Sequence, residues 1–89
     1  MDSKTSIVTV YTVDYCGYCN RAKELLQSKG VPFNEIKLDR NDDEARKKLV
    51  ERSGMKTFPQ IFHGDRLIGG CSELIDEDRQ DGLARLQAR

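Results

Sequence analysis

The sequence predicts an α/β fold: a four-stranded mixed sheet, built in the order β-α-β-α-β-β-α, with helices on both faces. Three observations predict it. A run of branched and aromatic residues, 7–13, ends at Cys16-Gly17-Tyr18-Cys19 and gives way at once to helical spacing. Two helical patterns are each closed by a glycine, Gly30 and Gly54. Two short apolar runs then flank Gly64-Asp65, a hairpin signature.

The first strand, over 7–11, is apolar on both faces, as an interior strand with both faces covered should be. The first helix starts near Gly17 and carries Cys19, Ala22, Leu25 and Leu26 on one face. Gly30 stops it and Pro32 reinforces the stop. The second strand runs over 33–38, with Phe33, Ile36 and Leu38 in imperfect alternation. Asn41 is the expected cap of the second helix, with Glu44 completing a capping box and Ala45, Leu49 and Val50 as the apolar stripe. The third strand is placed at 59–62 and the fourth at 66–69. Gly first in the Gly64-Asp65 pair suits a type II′ turn. Gly69-Gly70 permits an unusual backbone turn or a close approach by a ligand. Ser72 is the expected cap of the third helix, with Leu74 and Ile75 facing inward. After Asp81-Gly82 a last short helix carries Leu83 and Leu86.

The chain has 89 residues, so one domain over 1–89 with a thin core is expected. Fifteen basic and fifteen acidic residues cancel, and no long like-charge block occurs. Nucleic-acid binding is therefore not expected. No apolar stretch reaches membrane-spanning length and no leader pattern opens the chain, so a soluble, cytoplasmic protein is expected. Three cysteines are too few and too odd for a secreted disulfide scaffold.

The spacing of Cys16 and Cys19 carries the chemistry. Cys16 falls at a helix N-terminus, where the dipole and unpaired N–H groups favour a thiolate. Thiols so placed have pKa values of roughly 3.5–7.5, against about 8.5 for free cysteine. Cys19 is near enough to close a disulfide with it. A zinc site of Cys16, Cys19, Cys71 and His63 lacks the usual pair of close ligand couples. His63, at a hairpin end, is read as exposed and not catalytic.

The element order with Cys-x-x-Cys at the first strand–helix junction resembles the thioredoxin fold. Tyr11-Thr12 leading into Cys16-Gly17-Tyr18-Cys19, the segment Thr57-Phe58-Pro59-Gln60-Ile61-Phe62, and Gly69-Gly70-Cys71-Ser72-Glu73-Leu74 are similar to glutaredoxin motifs in order and spacing. The resemblance covers nearly the whole chain.

It implies a glutathione-dependent thiol–disulfide oxidoreductase acting on glutathionylated or disulfide-containing proteins, and a monomer. Cys16 would attack and Cys19 resolve. For glutathione it implies a groove of Tyr18, Thr57, Phe58, Pro59, Gly70, Cys71, Ser72 and Glu73, with Pro59 as the family's cis-proline. Phe58 would offer its backbone to the ligand's cysteine, the helix start at 70–72 would take the glutamyl carboxylate, and Glu73 would face the ammonium. Arg46 and Lys56 would meet the glycyl carboxylate. Cys71 is read as a small groove-lining residue, with regulatory oxidation as the alternative. Three departures stand out: Val13 where many members have Lys, Phe58 for Val, and Glu73 for Asp. Gly17 replaces the commoner Pro. Members with a small residue there sometimes bind a [2Fe–2S] cluster as a glutathione-bridged dimer, with the first Cys of each chain, here Cys16, as ligand. That is one rival reading. The other is a thioredoxin-like protein served by a flavoprotein reductase, against which the Gly69-Gly70-Cys71-Ser72 segment argues.

Overall fold

A computed structural model of the protein describes residues 7–39 and 41–80. The expected turn at Asp81-Gly82 and the short helix with Leu83 and Leu86 lie outside the described residues. Within them the order is β1 (Val8–Val13), α1 (Gly17–Ser28), β2 (Phe33–Leu38), α2 (Asp43–Ser53), β3 (Gln60–His63), β4 (Arg66–Gly69) and α3 (Cys71–Arg79).

The sheet is mixed, in the order β2-β1-β3-β4. β1 pairs parallel with β2 and antiparallel with β3, and β3 pairs antiparallel with β4. β1 is thus interior, which its two apolar faces require. Its Val8 and Val10 join Ala22 and Leu26 of α1, Ile61 of β3, Leu74 of α3 and Val31 in the main core. On the opposite face Tyr11 meets Phe62 edge-on at 5.6 Å, and Arg52 of α2 lies 4.3 Å over the Phe62 ring. α2 buries Leu49.

α1 ends as its sequence dictates. Gly30 adopts φ 71°, and the Gly30 and Val31 amides donate back to Gln27 and Leu26. Gly64 alone of the hairpin pair has positive φ, at 63°, as a type II′ turn requires. β4 holds one extra residue between its pairs Ile61–Gly69 and Phe62–Leu67, a bulge that leads into the turn at Gly69.

Among the described residues β2 has a strand neighbour on one side only, and its Ile36 is 42% exposed. Three expectations need correction. The cap of α2 is Asp42, not Asn41. The Asn41 amide is held by Asp39 Oδ1 in a preceding turn, so the helix starts one residue later, with Asp42 Oδ1 accepting from the Ala45 amide. The cap of α3 is Gly70, not Ser72. Its amide is taken by the Glu73 carboxylate at 2.8 Å, so the helix needs no serine. His63 is half-buried at the end of β3, next to the turn, and not exposed.

Candidate active site

The loop from β1 to α1 sets the reactive sulfur. Asp14 and Tyr15 form the turn, and Lys37 of β2 pairs with Asp14 at 3.3 Å. Tyr15 has φ 58°. For a side chain with a Cβ this left-handed conformation costs roughly 1–2 kcal/mol. Tyr15 is also 99% exposed.

Cys16 then caps α1. Its Sγ accepts a hydrogen bond from the Cys19 amide at 3.1 Å, and its carbonyl starts the helical ladder at Asn20. An acceptor at this place is favoured by the free N–H groups and by the dipole, and a thiolate more than a thiol. Cys16 and Cys19 form a disulfide. Cys16 is half-buried whereas Cys19 is buried. Of the two sulfurs, Cys16 is therefore the one an outside disulfide can reach. A Cβ at Gly17 would meet nothing within 4 Å, so space does not demand glycine there.

Facing Cys16 is the Phe58 carbonyl oxygen, 3.9 Å from Sγ, followed by a cis Phe58–Pro59 bond. A groove of about 530 Å³ is lined by Tyr18, Met55, Thr57, Phe58, Pro59, Gly70, Cys71, Ser72 and Glu73. All eight residues assigned to the groove from the motifs thus come together. Arg46 and Lys56 line a second hollow of about 400 Å³ with Asp43, Lys47, Val50 and Glu51, and Phe58 borders both. Arg46 also approaches Asp43, at 4.0 Å. A Cβ at Gly70 would make ordinary van der Waals contact with the Pro59 carbonyl at 3.4 Å and with Glu73 Oε1 and Met55 Cε at 3.5 Å, so space alone does not demand glycine there. Glu73 uses Oε1 to hold the Gly70 amide, so any partner in the groove meets a carboxylate already anchored. Cys71 opens α3 and is buried, and burial pushes its thiol pKa up.

Two contributors were not found from sequence. Met55 lines the groove. Gln60, wholly buried, donates from Nε2 to the Met55 and Thr57 carbonyls at 2.9 and 3.1 Å. A lone amide side chain in an apolar strand is the signal that could have found it. Under α1, Thr12 Oγ1 donates to Glu35 Oε2 at 2.7 Å and Lys23 donates to the same oxygen at 3.0 Å. These hydrogen bonds hold the Glu35 pKa below its ordinary value.

Among the described residues no three His, Cys, Asp or Glu side chains gather as a metal site. The four zinc candidates do not converge. A bridged iron–sulfur cluster would draw one ligand, Cys16, from this chain. No helix among the described residues is long and apolar enough to cross a membrane.

A family model described as glutaredoxin matches residues 8–68. Glutaredoxin 3 of Escherichia coli (strain K12) is 47% identical over 76 residues, covering 85% of this chain and 90% of that protein. The solution structure of a glutaredoxin from Brucella melitensis is 41% identical, with a TM-score of 0.80, covering 98% of this chain and 94% of that one. The crystal structure of a buckwheat glutaredoxin–glutathione complex is 31% identical, with a TM-score of 0.83, covering 92% and 76%.

Proposed function

The chain belongs to the glutaredoxin family, whose Cys-x-x-Cys makes it a thiol–disulfide oxidoreductase; we propose that its co-substrate is glutathione and that it reduces protein–glutathione mixed disulfides and protein disulfides. The observation that carries this reading is the helix-capping Cys16 sulfur beside the groove of Phe58, Pro59 and Gly70.

Glutathione has two carboxylates, one ammonium and a peptide-like middle. The Phe58 backbone, whose carbonyl faces Cys16 Sγ, suits the middle, the start of α3 suits a carboxylate, and Glu73 suits the ammonium. Arg46 and Lys56, beyond Phe58, suit the second carboxylate. The buckwheat relative in complex with glutathione supports the same ligand here.

The Cys16 thiolate attacks the glutathione sulfur of a mixed disulfide. A Cys16–glutathione bond forms, the protein sulfur leaves as thiolate, and it takes a proton from water. A second glutathione loses its proton and attacks the sulfur bound to Cys16. Oxidised glutathione leaves, and the Cys16 thiolate is restored. On a protein disulfide, Cys16 first forms a mixed disulfide with one protein sulfur. Cys19 then attacks Cys16, giving the Cys16–Cys19 bond and a reduced protein. Two glutathiones reduce that bond.

The test is turnover of a small glutathione mixed disulfide, coupled to glutathione reductase. Cys16→Ser should abolish it. Turnover that persists in Cys16→Ser, or none in the unaltered protein, refutes the reading.

A further inference from the structure

Tyr15 lies in the turn that leads into Cys16. It is a bulky residue in the left-handed region, at φ 58°, and it is 99% exposed. Glycine or asparagine would fit the turn better. An aromatic ring left almost wholly in water adds nothing to a core. Strained residues of this kind cluster at functional sites, and Tyr15 immediately precedes the nucleophile. It is not among the groove residues, whereas Tyr18, 64% exposed, is.

That division matters for a mixed disulfide. Exchange at sulfur runs with attacking, central and leaving sulfurs in line. With glutathione in the groove, the polypeptide sulfur leaves away from it. The chain attached to that sulfur passes over the surface around Cys16 outside the groove. Tyr15, next to Cys16 in the chain, is a large exposed side chain outside the groove. Resting on the proposed glutathione chemistry, we infer that Tyr15 is a specificity-determining residue that packs on the polypeptide flanking a glutathionylated cysteine. It favours protein-bound mixed disulfides over small ones. Tyrosine suits such a task because it offers a wide, rigid contact surface that orders few torsions on binding.

The experiment compares kcat/KM for glutathionylated serum albumin with kcat/KM for the mixed disulfide of glutathione and 2-mercaptoethanol. Unaltered protein, Tyr15→Gly, Tyr15→Asn and Tyr15→Phe are measured side by side, with Tm for each. In Tyr15→Gly the protein-to-small ratio should fall about five-fold, the scale of one aromatic contact. Tm should hold or rise, because the strain is gone. Tyr15→Asn, which also tolerates the left-handed turn, should repeat the fall, and Tyr15→Phe should keep the original ratio. A ratio that moves less than two-fold in Gly and Asn variants overturns the role of Tyr15 while leaving the glutathione chemistry intact. No turnover of either substrate by unaltered protein overturns both.

Discussion

Replacing Gln60 with methionine separates holding the fold from holding the substrate edge. The side chain is wholly buried, donates two hydrogen bonds, and leaves Oε1 without a partner. Losing two neutral hydrogen bonds costs about 1 kcal/mol each, and removing a buried unpaired acceptor returns about 1–3 kcal/mol. Thr57 is exposed, so its freed carbonyl can turn to water. Methionine has nearly the same length and fills the same space. The net change in stability is therefore about 1 kcal/mol or less, of either sign. By contrast, Leu26→Ala, at a fully buried position, should cost about 2–5 kcal/mol. Yet residues 55–59 lose their two ties, and these residues carry the Phe58 carbonyl that faces Cys16. Small misplacements of this kind cost up to about a hundred-fold in catalysis. A KM increase of about ten-fold for a glutathione mixed disulfide is expected, with kcat within about three-fold. Urea unfolding measures the first quantity and the coupled reductase assay the second. Two results would refute the reasoning: destabilisation above about 3 kcal/mol, or a folded variant whose KM is unchanged.

Three further outcomes are expected. Cys19→Ser should retain turnover of small glutathione mixed disulfides and lose most reduction of protein disulfides. Equal loss in both assays would contradict the route through glutathione alone. Glu35 has a folded pKa below its ordinary 4.5, so its contribution to stability is present above that pH and is lost as pH falls through the folded value. Glu35→Gln should flatten the stability–pH curve below about 4.5, and a parallel curve from acid unfolding would contradict this. Cys71, buried and with its pKa raised, should react with iodoacetamide at pH 7 far more slowly than Cys16 in reduced protein. Mass mapping that finds comparable labelling would show the thiol to be accessible.

Much of this was legible in the sequence because the signals were local and strong. The doubly apolar first strand, Gly30 and Gly64-Asp65 each admit few backbone solutions. The groove residues were found because three separated motifs mark them. Helix starts were harder. Asn41 and Ser72 are good caps in isolation, but Asp39 claims the Asn41 amide and Glu73 claims the Gly70 amide. Which carboxylate reaches which N–H depends on the turn before the helix, and residue preference does not fix that. Counting three back from Glu73 would have reached Gly70. Gln60 was missed because its partners, Met55 and Thr57, bend back on it through a loop with no periodicity. The positive φ of Tyr15 had no local signal, since Asp14-Tyr15 is an ordinary-looking pair.

The outer rim of β2 has a consequence for how the protein behaves in concentrated solution. Among the described residues its peptide groups on that side have no strand to pair with, since the sheet ends there. Such a rim is a template for another chain. Here Ile36 is flanked by Glu35 and Lys37, each engaged in an ion pair, with Lys23 and Asp14. A newcomer strand would have to dehydrate both charges and loosen both pairs. Exchanging those two residues for valine would leave an apolar ribbon beside open peptide groups, and fibrous self-association would become the cheapest way to cover it.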